Sequence, residues 1–153
     1  MERIEQDEWT PKLVGEELVE AVRWAYRAGG RVGPAGYGSG MPQMMMSQMD
    51  RLAEQWDIVA DQEPVPRRRM LGPDEVSRAE RVLLWQSTYL KDSPVVAEAL
   101  AIWIFCKIKK GVRYGDALDR QGIARATAYR RRDNALAMIA KGLTRDGIAR
   151  GRH

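Results

Sequence analysis

Hydrogen-bond donors are concentrated between residues 125 and 132, where arginine, threonine and tyrosine are interspersed with alanine. A guanidinium group donates paired hydrogen bonds to a phosphate or to the edge of guanine, and a hydroxyl can contact either. Such groups near the start of a helix suit contact with base edges, while nearby cations suit contact with backbone phosphates. The candidate base contacts are Arg125, Ala126, Thr127, Tyr129 and Arg130, and the candidate phosphate contacts are Arg131, Arg132, Lys109, Lys110 and Arg113.

Two predicted helices position these side chains. A short helix covers Tyr114–Gln121, and a longer one begins near Ala124 and runs to about Leu143. Gly122 lies between them, where a residue without a Cβ tolerates the positive φ of a turn, and Ile123 is expected to enter the core. The buried side of the longer helix is predicted to consist of Ala128, Ala135, Leu136, Ile139 and Leu143. Together these features predict a helix-turn-helix.

Charge divides the 153-residue chain into two predicted parts. Residues 107–153 contain 13 Lys and Arg against 4 Asp and Glu, a net charge of +9, whereas residues 1–106 contain 12 against 17, a net charge of −5. The division predicts an acidic helical body and a basic segment that faces a polyanion and ends in a flexible tail. A Gly-rich loop at 29–42 and a Pro/Arg linker at 61–72 interrupt the body. The less specific interpretation is a solvated basic helix that packs on a helical bundle.

Four further helices are predicted in the rest of the chain, at about 10–28, 41–57, 73–90 and 94–110. Thr10 and Ser93 each precede a proline, which is typical of a helix N-cap followed by the first helical residue. No stretch alternates between apolar and polar residues as a half-buried strand would. The sequence therefore predicts an all-α fold, a helical bundle with a C-terminal helix-turn-helix.

Several chemistries lack the residues that they need. The lone cysteine, Cys106, lies in an apolar run, and the lone histidine, His153, is the last residue, so neither histidine-dependent catalysis nor a Cys/His zinc site is expected. The Gly-rich loop lacks the lysine of a P-loop, and Met41 stands where a dinucleotide fingerprint needs glycine. The longest apolar run, Ala99–Cys106, is far shorter than a membrane span, and no secretory signal is visible. We therefore expect a cytoplasmic protein without a metal, cofactor or membrane partner.

The run Gly122-Ile-Ala-Arg-Ala-Thr-Ala-Tyr-Arg-Arg-Arg, followed by Ala135-Leu136 and Ile139-Ala140, resembles the C-terminal helix-turn-helix of phage-encoded regulators. These include late transcriptional activators that are similar to sigma region 4, and Q-type antitermination proteins. The chain is most similar to an uncharacterised helix-turn-helix family from phages and prophages of alpha-proteobacteria. The Gly36–Pro42 loop and a helix that carries Trp85 extend the resemblance, although the loop has Met41 where that family commonly has tryptophan. The resemblance to these regulators implies DNA binding.

Three classes of function are open at this point. The favoured one is a sequence-specific regulator of phage or prophage genes that binds double-stranded DNA, and its acidic body could also dock on RNA polymerase. The alternative is a small terminase subunit, which would recognise phage DNA and form a homo-oligomeric ring. An enzyme would depend on paired carboxylates, which at helix ends are more often caps and solvated charges, so no catalytic residue is expected. The carboxylates in question are Asp57, Asp61, Glu63, Asp74 and Glu75.

Overall fold

The computed structural model describes residues 8–31, 47–52, 72–109 and 111–149, and for residues 26–31 the backbone alone. Throughout these ranges the regular secondary structure is helical and no strand occurs, so the predicted all-α class is confirmed. Residues 47–52 form a short helical stretch. The longer elements are α1 (Pro11–Arg31), α2 (Pro73–Leu83), α3 (Trp85–Tyr89), α4 (Pro94–Ile108), α5 (Tyr114–Gln121) and α6 (Arg125–Arg145). The Gly36–Pro42 loop, most of the methionine-rich segment, the 61–71 part of the linker and the tail beyond residue 149 lie outside the described residues.

Helix α1 begins as its cap predicts. The backbone N–H of Leu13 donates to the Thr10 hydroxyl at 3.2 Å, and Pro11 is the first helical residue, where its missing N–H costs nothing. Val14 and Leu18 are fully buried at four-residue spacing, which directs this side of α1 into the core. The helix ends at Arg31, three residues beyond the predicted end near Ala28.

Two details of the predicted helices are wrong. The helix expected over 73–90 is interrupted at Leu84, whose N–H bonds to the Arg81 carbonyl at 3.1 Å, three residues back, as in the tighter turn of a 3₁₀-helix. Ser93 precedes Pro94 as expected, but its side chain makes no capping hydrogen bond. The start of α4 therefore depends on the preset φ of proline rather than on a hydroxyl cap.

Helix α4 is the central helix of the described core. Nearly half of its residues are buried, and it packs against α1, α5 and α6. Phe105 and Ile139 belong to one apolar cluster, so the packing continues across the charge boundary at residue 106. No helix in the described ranges is both long and apolar enough to span a membrane.

The residues before α1 attach to the far end of α6. Trp9 is buried and meets the Trp85 ring edge to face, with centroids 5.1 Å apart. Its backbone N–H donates to the Thr144 hydroxyl at 3.3 Å, and its indole Nε1 donates to the Ile148 carbonyl at 2.9 Å. The two described ends of the chain therefore hold each other, and the C-terminal end of α6 is anchored.

Candidate nucleic-acid interface

The connection between α5 and α6 follows from a glycine cap. Gly122 adopts φ +72°, where an L side chain would be strained, and its N–H bonds to the Asp119 carbonyl at 3.1 Å. The next N–H, that of Ile123, reaches the Leu118 carbonyl at 3.0 Å, which completes a Schellman motif. Ile123 is half-buried against the core, and Ala124 is extended, so α6 starts at Arg125 in a new direction.

The predicted buried side of α6 is confirmed: Ala128, Ala135, Leu136, Ile139 and Leu143 are all buried. On the opposite side, Ala126, Arg130 and Asn134 follow one another at four-residue spacing and are all exposed. We call these three residues the exposed ridge. Asn134 was absent from the predicted site, although its position one turn after Arg130 is the signal that could have identified it.

Arg130 is the cation at the centre of the exposed ridge. Its guanidinium makes no ion pair or hydrogen bond with any described residue, and the side chain is exposed. Because an arginine carries five donors and is always charged, an exposed guanidinium without a protein partner is available to an external anion or acceptor.

Arg132 is engaged within the protein. Its guanidinium lies 5.4 Å from the centroid of the Trp103 ring and 5.0 Å from that of Tyr129. Its Nε and Nη2 atoms also donate to Asp133 Oδ1 at 3.0 and 2.7 Å. The side chain is only 21% exposed, so the structure places this predicted phosphate contact against two aromatic rings rather than in solvent.

Tyr129 continues the same arrangement towards α5. The residue is 43% exposed, and its ring meets the Tyr114 ring edge to face with centroids 5.2 Å apart. The Tyr114 hydroxyl donates to the Ala99 carbonyl of α4 at 3.3 Å, and burial raises the pKa of Tyr114 to about 12. We call Trp103, Arg132, Tyr129 and Tyr114 the aromatic–arginine stack, which joins α4, α5 and α6.

Arg125 lies across α5 instead of on the exposed ridge. Its Nη2 is 3.4 Å from Asp119 Oδ2, and both side chains are largely exposed, so this ion pair contributes little to stability. A Cβ at position 115 would lie 2.9 Å from the Arg125 Cζ atom, which shows that Gly115 makes room for the guanidinium. Arg125, a predicted base contact, therefore has its guanidinium next to α5, close to the connection between α5 and α6.

The other predicted site residues are distributed around this region. Arg113 is exposed immediately before α5, and Thr127 and Arg131 are half-exposed on α6. Lys109 follows the last residue of α4, is half-buried and makes an interaction of its own. Lys110 lies outside the described residues. The Lys107 ammonium, which is not among the predicted site residues, is 5.6 Å from the Trp103 ring centroid.

One thiol and several carboxylates are the groups that catalysis or metal binding would need. Burial, and to a smaller extent the charge of Asp116, raises the pKa of Cys106 to about 11, so this thiol is protonated at neutral pH. Glu75 accepts a hydrogen bond from the Gly72 N–H at 2.9 Å and so caps α2, and Asp74 is exposed beside it. Asp57, Asp61 and Glu63 lie outside the described residues. Among the residues that the structure describes, no group of His, Cys, Asp and Glu is arranged to hold a metal ion.

We compared the chain with protein families, with curated proteins and with solved structures, and none of them matches. The resemblance to phage helix-turn-helix regulators therefore stays a prediction that rests on the residues of the 122–140 segment.

Proposed function

We propose that α5, the connection at Gly122 and α6 form a helix-turn-helix that binds double-stranded DNA with sequence specificity. We further propose that the protein regulates the transcription of phage or prophage genes. The observation that carries the first proposal is the exposed ridge: an arginine without a partner among the described residues stands in the N-terminal half of a helix whose opposite side is buried. That is where a recognition helix presents its side chains to base edges in the major groove.

The carboxylates around the ridge favour the same interpretation. Asp133 accepts hydrogen bonds from two nitrogens of Arg132, and Asp119 forms an ion pair with Arg125. Because each of these acids has a cation beside it, their repulsion of backbone phosphates is reduced. The excess cations of residues 107–153 then determine the sign of the local field, which attracts a polyanion.

Selection of bound fragments from random double-stranded DNA, followed by titration, tests this proposal. We expect an enriched motif and an affinity that falls steeply with salt, because bound phosphates release counterions. Arg130→Ala is expected to weaken binding to the enriched site by about 1–3 kcal/mol, with a smaller effect on random DNA. Lys141→Ala is the matched control, since Lys141 is an exposed cation of the same helix about 16 Å away along the axis.

Four results would contradict parts of the proposal. Absence of DNA binding, or an affinity independent of salt, would overturn it. An equal loss on specific and random DNA in the Arg130→Ala variant would show that Arg130 contacts only phosphate. Light scattering addresses the regulatory role: a monomer or dimer supports it, whereas a large ring would indicate the small terminase subunit instead.

A further inference from the structure

The three residues of the exposed ridge differ in chemistry, and each matches a different feature of the major groove. Arginine pairs with the O6 and N7 acceptors of guanine, and asparagine pairs with the N6 donor and N7 acceptor of adenine. Alanine contacts the methyl group of thymine and is small enough to let the helix approach closely. Neither Arg130 nor Asn134 donates a side-chain hydrogen bond to any residue that the structure describes, so both are available.

The neighbouring candidates are less suited to reading bases. The guanidinium of Arg132 is held between Trp103 and Tyr129, and that of Arg125 is held over Gly115 beside Asp119. Moving either guanidinium to a base edge would break these contacts with its neighbours. Arg130 and Asn134 have no such contacts with described residues. Arg132 instead connects α6 to Trp103 of α4.

The distance between ridge residues along the helix determines how far apart the bases that they contact can be. Four residues of α-helix rise about 6 Å, and successive base pairs are about 3.4 Å apart, so one helical turn along the groove spans about two base pairs. We propose that Arg130 selects a guanine and Asn134 selects an adenine about two base pairs away, with Ala126 beside a thymine methyl on the other side of the guanine. This inference rests on the proposed DNA binding and names the DNA sequence that the same site prefers.

Parallel selections with the wild-type chain and single variants test the assignment. The wild type should enrich sites that hold a guanine and an adenine about two base pairs apart. Arg130→Ala should remove the preference at the guanine alone, and Asn134→Ala the preference at the adenine alone. Each variant should lose about 5- to 150-fold in affinity for the wild-type site, which corresponds to about 1–3 kcal/mol for a lost bidentate pair. Lys141→Ala should retain the full motif.

Asn134→Asp gives a second, positive readout. A carboxylate accepts from the N4 amino group of cytosine and cannot donate to adenine N7, so the preference at that base should change from adenine to cytosine. Asn134 is exposed and unpartnered among the described residues, so circular dichroism should show that both variants keep the wild-type helicity. If the wild type enriches a motif and Asn134→Ala enriches the same motif, the base assignment is overturned while DNA binding stands. A wild type that enriches no motif would overturn the proposed function itself.

Discussion

The two ends of α6 differ in what holds them. At the C-terminal end, Gly142 lies directly against the Tyr89 ring, and the Tyr89 hydroxyl donates to Asp146 Oδ2 at 2.7 Å. Trp9 adds hydrogen bonds to Thr144 and Ile148. At the N-terminal end, Ala128 is buried in the core, the aromatic–arginine stack and an exposed ion pair add further contacts, and the ridge is left open. The comparison shows one helix anchored at one end and presenting polar groups at the other.

A helix that is anchored at one end and open at the other is suited to binding. A recognition helix positions its side chains accurately only if its own backbone is held by the rest of the protein. The anchored end provides that restraint without occupying the exposed ridge. Arg132 and Arg130 illustrate the difference within two residues of sequence, because one guanidinium is covered by two rings and the other is exposed.

The largest effect is expected from Gly142→Ala, at the anchored end. A Cβ at position 142 would overlap the Tyr89 ring, so the ring or the helix must move, and overpacking of this kind costs about 1–3 kcal/mol in the free energy of unfolding. Urea denaturation measures the loss. In the Tyr89→Ala background the same substitution should cost much less, because the ring that it strikes is absent. Equal costs in both backgrounds would show that the two residues are not coupled.

A smaller effect is expected from Arg132→Ala, at the open end. Its guanidinium faces two aromatic rings, and each cation–π contact contributes about 0.5–1 kcal/mol, so unfolding should become easier by about 1–2 kcal/mol. Arg130→Ala, two residues earlier and without a described partner, should leave the stability unchanged. Similar losses in the two variants would remove the distinction between the covered and the exposed arginine.

The smallest effect is expected from deprotonation of the Tyr89 hydroxyl, which donates a hydrogen bond to Asp146. Burial, with the hydrogen bond to Asp146, raises the pKa of Tyr89 from 10.0 to about 12. The folded state therefore keeps a proton that the unfolded state loses, so this contribution is complete below pH 10 and declines between pH 10 and 12. Tyr114 titrates in the same range, so the decline should be shallower, but not absent, in Tyr89→Phe. Urea denaturation across this range gives the two slopes, and identical slopes would exclude a contribution from Tyr89.

Asp146 responds at the opposite end of the pH scale. Its hydrogen bonds with Tyr89 and Arg145 lower the pKa of its carboxyl below 3.8. Its stabilising contribution is therefore present above that pH and is lost as the pH falls through the lowered pKa. In urea denaturation at acidic pH, the free energy of unfolding should therefore fall less steeply with decreasing pH in Asp146→Asn than in the wild type.

Much of the local structure could be predicted because it depends on neighbours in sequence. The positive φ at Gly122, the Thr10 cap and the buried side of α6 all follow from backbone sterics or from a 3.6-residue period. The interruption at Leu84 could not be predicted in this way, because the apolar pattern runs through it. The missing Ser93 cap depends on the orientation of one hydroxyl, which sequence does not specify.

For the candidate site, sequence alone determined the charge, the helix that carries it and the residue types that could contact DNA. Only the tertiary structure decided which arginines are engaged. Trp103 lies 29 residues before Arg132, and Gly115 lies 10 before Arg125, so these contacts exist only after α4, α5 and α6 have packed. Periodicity defines which side of a helix is apolar, whereas the neighbours that cover a polar side chain are set by packing between helices. The helical period therefore places Asn134 one turn after Arg130, whereas only the packed fold shows that both side chains are exposed and have no partner among the described residues.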